Sequence, residues 1–371
     1  MDAPALSDDL LHAWLALIRL SGTNPRTIAP LISAGADPRE LLKSPPAEVP
    51  GGLRAKLRRP DLERAGQDLA WLKESGNQLL PLNSPDYPDA LREMVDPPLA
   101  LFLRGAARLL STPQLAIVGS RSATRGGLEN ARQFSRFLAE AGITITSGMA
   151  LGIDSAAHQG ALETGATIAV LGTGLDRVYP ARHRDLAHRI AQQGLLVSEY
   201  LPGTPPLAHN FPRRNRIIAG LTMGTLVVEA ALKSGSLITA RLATEMGREV
   251  FAIPGSIHNP MARGCHALIR EGAKLVESGE HIAEEFISLA GPSVRPPSPE
   301  APCPRGEAEI DPEHQELLTA MDFEPVSADQ LAERTHFSAA EISSMLLLLE
   351  LQGHVSSEAG GLFTRLGKPH R

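Results

Sequence analysis

Cysteine is nearly missing from this chain: Cys265 and Cys303 are the only two in 371 residues. They lie in different regions, so no disulfide framework is expected. Aromatic residues make up 4% of the sequence, too few for a binding surface built mainly on stacked rings. No stretch approaches the roughly 20 apolar residues that span a bilayer. The opening Met-Asp-Ala-Pro-Ala-Leu-Ser-Asp-Asp is acidic and lacks the basic start of a signal peptide, so a cytoplasmic location is expected. No His-Glu-x-x-His, Walker lysine motif or cysteine–histidine metal spacing occurs, and neither a metal nor a cofactor is expected. Net positive charge is also lacking. The formal value is −6, which taken alone argues against a polyanionic ligand. The distribution of charge points the other way, because residues 311–371 hold four Lys/Arg against ten Asp/Glu and so carry the whole excess. The preceding 310 residues balance at 32 of each sign, with arginines in local clusters.

What is abundant is one repeated device, a short apolar strand running into a glycine- and serine-rich turn. It reads Leu-Ala-Ile-Val-Gly-Ser-Arg at 115–121, Ile-Thr-Ile-Thr-Ser-Gly at 143–148 and Ile-Ala-Val-Leu-Gly-Thr-Gly at 168–174. It recurs as Leu-Val-Val-Glu followed by Lys-Ser-Gly-Ser in 226–236, and as Val-Phe-Ala-Ile-Pro-Gly-Ser at 250–256. Strands near 99–103, 115–119, 143–147, 167–171, 194–198, 225–229, 249–253 and 274–276 alternate with amphipathic helices such as 128–141 and 236–247. That pattern predicts an α/β fold with a doubly wound, mostly parallel sheet covered on both faces. In such a sheet the strand carboxyl ends share one crevice, where helices begin with free backbone N–H groups. Five such turns in a row suit a ligand with several phosphates along its length.

Length predicts two or three domains. Residues 1–75 read as a small helical domain, SAM-like or helix-hairpin-helix-like, with an apolar stripe at Leu11, Trp14, Leu15, Ile18 and Leu20. A helix-hairpin-helix would grip DNA backbone through its glycine turn. Thr23 and Asn24 stand where that hairpin wants an apolar residue and a second glycine, which favours a packing module. A proline-rich connector with Pro81, Pro85, Pro88, Pro97 and Pro98 opens the central domain, 76–290. Residues 291–305 hold six prolines and read as a linker. In 306–371 three helical patterns and a hairpin follow the winged-helix order.

Gly119-Ser120-Arg121, with Thr124-Arg125-Gly126-Gly127 opening the next helix, forms a candidate anion nest. A dinucleotide is disfavoured, because the strand ending at Ser147-Gly148 has no acidic residue for a ribose. Phe211-Pro-Arg-Arg-Asn-Arg places Arg213, Arg214, Asn215 and Arg216 within one helical turn, and arginine's planar fork suits phosphate. Asp154 and His158 are i, i+4 helix neighbours and read as structural, not as a catalytic pair. Glu199 and Glu229 end strands inside the crevice, where a carboxylate can hold an arginine in place.

Taken together, Ile-Val-Gly-Ser-Arg, Ser-Gly-Met-Ala-Leu-Gly-Ile-Asp-Ser-Ala-Ala-His, Gly-Leu-Asp-Arg-Val-Tyr-Pro, Ser-Glu-Tyr, Phe-Pro-Arg-Arg-Asn-Arg-Ile-Ile-Ala-Gly-Leu and Ser-Gly-Ser-Leu-Ile-Thr-Ala-Arg resemble the DNA-processing protein A (DprA/Smf) family over about residues 80–280. The resemblance implies a homodimeric single-stranded-DNA binder, built around an extended Rossmann-like domain, that protects incoming DNA during natural transformation and hands it to the RecA recombinase. Two positions depart from the family pattern. Leu151 replaces an arginine, and Ala181 stands where the family often has lysine, so that a phosphate contact is expected at Arg182, with Arg184 close behind.

The expected DNA contacts are Arg121, Arg182, Arg213, Arg214, Asn215 and Arg216, with backbone N–H groups at Gly119, Gly148, Gly174 and Gly235. Ser120, Ser234, Ser236 and Thr239 would add hydroxyls, and Tyr179 and Phe211 are the stacking candidates. Self-association is expected through His266, Ile269 and Leu275. The winged helix should add little DNA affinity, because its third helix, 338–352, has no Lys or Arg and its apolar residues Met345, Leu346, Leu348, Leu349 and Leu351 belong mostly to its own core. An alternative is enzymatic. Gly220-Leu-Thr-Met-Gly-Thr-Leu-Val-Val-Glu resembles the Gly-Gly-x-Gly-Thr-x-x-Glu site of Rossmann-like nucleoside-monophosphate phosphoribohydrolases, with Glu229 one residue late.

Overall fold

A computed structural model describes residues 6–21, 25–290, 311–321, 325–358 and 360–365. Thr23, Asn24, the 291–305 segment and Cys303 lie outside the described residues. The chain divides into two compact units, Met1–Pro296 and Pro297–Arg371.

In the first unit each apolar run becomes a strand of one nine-stranded sheet. The strands are β1 (Asn77–Pro81), β2 (Ala100–Gly105), β3 (Gln114–Val118), β4 (Thr144–Ser147), β5 (Thr167–Val170), β6 (Leu195–Ser198), β7 (Gly224–Val227), β8 (Glu249–Ala252) and β9 (Lys274–Leu275). Their spatial order is β1-β2-β6-β5-β4-β3-β7-β8-β9. From β6 to β9 every neighbouring pair is parallel, while β2 joins β6 and β1 joins β2 antiparallel. Strand β1 falls where the proline-rich connector was read. Pro81 closes a strand at the sheet edge, where a missing N–H breaks no ladder.

The sheet is buried on both faces, which is why its strands read as continuous apolar runs. Leu115 and Ile117 of β3 pack with Phe134, Leu138, Ala157 and Phe286 on one side. Val118 turns to the other side, into a core with Ala219, Leu237, Ala240 and Leu268. The helices Asp8–Ser21 and Pro25–Ser33 do not stand apart. Trp14, Leu15, Leu17 and Ile28 are buried in the same core as Leu101 and Phe102 of β2 and Leu196 of β6. Arg19 clasps the buried Asp68 with two hydrogen bonds of 2.7 and 2.8 Å, fastening the first helix to the helix Leu62–Leu72.

The order of the parallel strands reverses between β3 and β7. A doubly wound sheet binds ligands at such a switch point, outside the strand carboxyl ends. The turns after β3 and β7 therefore frame the site.

The second unit is a winged helix. Helices Pro312–Met321, Ala328–Arg334 and Ala339–Leu351 pack with a small antiparallel sheet of β10 (Val326–Ser327), β11 (Val355–Glu358) and β12 (Leu362–Arg365). Ser327 with Gln330, and Ser338 with Glu341, form capping boxes that start its second and third helices. Ile342, Met345, Leu346 and Leu349 fill its core. Leu348 and Leu351 are the excess over that core, 47% and 77% exposed, because the apolar run is wider than the helix face that packs.

Candidate nucleic-acid interface

The loops at the switch point are locked together before any ligand arrives. Gly152, after β4, has φ 75° and ψ −126°, and a Cβ there would lie 2.2 Å from the Ser120 carbonyl oxygen. Only glycine allows that approach, and it brings the β4 loop against the Ser120–Arg121 backbone. On the other side the Ser120 N–H donates to the Glu229 carbonyl at 2.7 Å.

The nest at the start of the helix Arg125–Glu140 is already filled. Glu229 accepts the Thr124 N–H at 2.9 Å and the Thr124 hydroxyl at 2.7 Å, so its carboxylate takes the place expected for a phosphate. The nest expectation is corrected accordingly: this helix start is satisfied from within, and Glu229 holds a threonine instead of an arginine. Arg121 beside it is exposed and meets no carboxylate among the described residues.

Two of the four clustered donors are interior. Helix Asn210–Leu221 buries Arg214 and Arg216. The Arg214 guanidinium donates to the Val170 carbonyl at the end of β5, and it lies so close to Gly148 that a Cβ there would fall 2.3 Å from it. Burial pushes the Arg214 pKa down to about 10, partly offset by the Asp154 charge. Arg216 pairs with Glu199 and donates to the Asp96 carbonyl at 2.7 Å. Arg213 is half-buried between Asp96 (3.5 Å) and Glu199 (3.4 Å). The expectation of four donors facing a phosphate chain is thus corrected for Arg214 and Arg216, which form an internal brace because the helix packs that face against the strand ends. Asn215 reaches the Gly235 carbonyl at 3.5 Å.

The other candidates divide in the same way. Gly148 N–H donates to Asp154 at 3.1 Å and Gly174 N–H to the Thr204 carbonyl at 3.1 Å, so neither serves as an open donor. Gly119 has no room for a side chain, since a Cβ would lie 2.5 Å from Ile153. Ser120, Ser236 and Thr239 are buried. Ser234 is half-buried with its hydroxyl 2.7 Å from that of Ser236, next to the exposed Gly235. Arg182 is exposed and without a carboxylate partner among the described residues. Tyr179 and Phe211 come together with ring centroids 5.5 Å apart, Tyr179 being exposed. Lys233, which the sequence reading passed over, is an exposed cation on the β7 turn. Its place between an apolar strand and Ser-Gly-Ser was the available signal.

A family model described as DNA recombination-mediator protein A matches residues 78–287, and one described as the DprA winged helix domain matches 296–361. The chain belongs to the DNA-processing protein A (DprA/Smf) family. Protein Smf of Escherichia coli is 46% identical over 302 residues, covering 79% of each chain. The DNA processing protein DprA of Streptococcus pneumoniae is 50% identical over 201 residues, 54% of this chain and 71% of that one. The X-ray structure of DprA from S. pneumoniae superposes with a TM-score of 0.67 at 38% identity, covering 76% of this chain and 98% of that one. A second structure, that of DNA processing protein A from Helicobacter pylori, described for its unique single-stranded DNA binding mode, gives a TM-score of 0.53 at 31% identity, covering 57% and 96%.

Under the crevice of this DprA/Smf chain lies a titratable layer. Asp154 accepts the N–H groups of Gly148 and Ala150, and its burial raises its pKa. His158 on the same helix, Ile153–Thr164, does not bond to Asp154. The Thr167 hydroxyl donates to the Ile145 carbonyl at 2.6 Å, so its oxygen accepts from His158 Nδ1 at 2.7 Å. Nε2 is then the bare nitrogen, buried and without a partner. Burial, with help from His183 and Arg214, pushes this histidine down to about 3. The folded chain therefore keeps His158 neutral while the unfolded chain protonates it below about pH 6.5. Its contribution is complete above that pH and is lost as pH falls toward 3. About 2 kcal/mol of stability should disappear between about pH 7 and pH 5 from this group, and His158→Gln should flatten that part of the profile. Parallel profiles for wild type and variant in chemical denaturation would contradict this role.

Proposed function

We propose that the crevice at the carboxyl ends of β3–β8 holds single-stranded DNA through its phosphates, with Arg121 as the principal contact and Arg182 and Lys233 along the same edge. The observation that carries the reading is the contrast between arginines. Arg214 and Arg216 are buried on internal acceptors, whereas Arg121 at the switch point is exposed, without a carboxylate partner among the described residues, on a loop braced from both sides. The backbone bracing lets an exposed cation meet a phosphate with little ordering cost. Gly235 and Ser234 supply further donors, and the Tyr179–Phe211 pair offers a ring face to a base. The acidic winged helix does not grip the strand in this reading.

The finer role is to protect incoming DNA during natural transformation and to hand it to the RecA recombinase. The family description as a recombination mediator supports this. We take 76–290 as the binding domain. Homodimerisation would use Ile269 and His266 of the helix Arg263–Arg270 and Leu275 of β9, which is 48% exposed at the sheet edge. Light scattering on Ile269→Glu should report a monomer, and an intact dimer would remove this surface.

In this reading Glu229 anchors Thr124 through both carboxylate oxygens and does not act on a ribosyl bond. The test of the DNA reading is Arg121→Ala. A charge-assisted contact on an exposed loop is worth about 1–3 kcal/mol, so the dissociation constant for single strands should rise about fivefold to 150-fold with normal melting. An unchanged constant takes Arg121 out of the site.

A further inference from the structure

A second concavity, of about 730 Å³, opens between β2, the loop 175–178 and the helix Arg184–Gln193. Its walls carry the guanidinium groups of Arg104, Arg177 and Arg184 and the imidazole of His188. Asp176 is the carboxylate in the same wall, and it is committed to its own turn. It accepts the Gly203 N–H at 2.8 Å and pairs with Arg177 at 3.2 Å.

Arg104 is the telling residue. It sits half-buried on β2, in register with Leu196 of β6, and meets no carboxylate among the described residues. A cation drawn partly out of water without a counter-ion is unfavourable unless an anion joins it. Arg184 is exposed on the same cleft, and it too has no carboxylate partner among the described residues.

We propose that this cleft is a second phosphate site, taking further nucleotides of the same single strand after they leave the crevice; the proposal rests on the crevice reading. Continuity of the chain supports it. His183 pins the turn by its 3.0 Å contact with the Met149 carbonyl after β4, with the exposed Arg182 just before it and Arg184 just after it, on the wall of the cleft. A strand passing Arg182 thus meets Arg184 two residues on and then Arg104. The volume lies within the range of built ligand sites.

Fluorescence anisotropy with labelled thymidine oligomers of about 6 and about 24 nucleotides tests the proposal. Arg104→Ala should weaken the long oligomer about threefold to tenfold and lower its salt slope by about 0.7 for each phosphate no longer neutralised, leaving the short oligomer unchanged. Arg184→Ala should behave alike, both variants should melt like wild type, and Arg104→Lys should recover most of the affinity. Unchanged long-oligomer binding in both alanine variants overturns the second site while the short oligomer still reports the crevice. If neither oligomer binds wild type, the crevice reading falls and takes this proposal with it. ATP that binds wild type but not Arg104→Ala, with the long oligomer unaffected, assigns the cleft to free nucleotides and overturns the strand.

Discussion

Arg214→Ala is expected to destabilise the first unit by about 3–5 kcal/mol, the range found when a buried charge loses the opposite charge that compensates it. The reason is local. Arg214 supplies the Val170 carbonyl with a donor and faces the buried Asp154, whose pKa would rise further without it. The cavity left behind lies directly beneath Gly148, so the β4 turn loses its floor. Arg214→Lys keeps the charge but not the planar fork, and should recover only part of the loss. Denaturant unfolding measures both. A midpoint for Arg214→Ala equal to wild type would show that the guanidinium is not a brace, and would make it a DNA contact again.

Gly152→Ala should cost about 2–5 kcal/mol, combining backbone strain in a glycine-only region with a clash against backbone that cannot yield. Here the functional consequence is specific. The new Cβ would press on the Ser120 carbonyl and the Arg121 backbone, so single-strand affinity should fall along with stability. Anisotropy below the unfolding midpoint separates the two effects, because Arg121 would be displaced even in the folded fraction. Wild-type stability in this variant would mean that the two loops are not packed as described.

Much of the fold was legible in the residues alone. The apolar-run-then-glycine device marks β3, β4, β5, β7 and β8 because a strand buried on both faces leaves no polar alternation to blur the signal. Strand β1 was hidden by its prolines, which mark edges as readily as loops. The interior fate of Arg214 was encoded but easily missed. It lies three, four and seven residues before Ile217, Ile218 and Leu221, in line with the apolar stripe of its helix. Chemistry pointed outward and periodicity pointed inward, and packing decided. Glu229 gave no such signal. Its partner Thr124 is 105 residues away, and no local spacing reports a contact set by sheet order.

The crevice is expected to prefer a single strand, and a titration of wild-type protein with matched single-stranded and duplex oligonucleotides at moderate salt measures this directly. Tighter binding of the single strand is predicted, with log affinity falling by about 0.7 per log unit of salt for each phosphate neutralised. Equal or tighter binding of the duplex would contradict it.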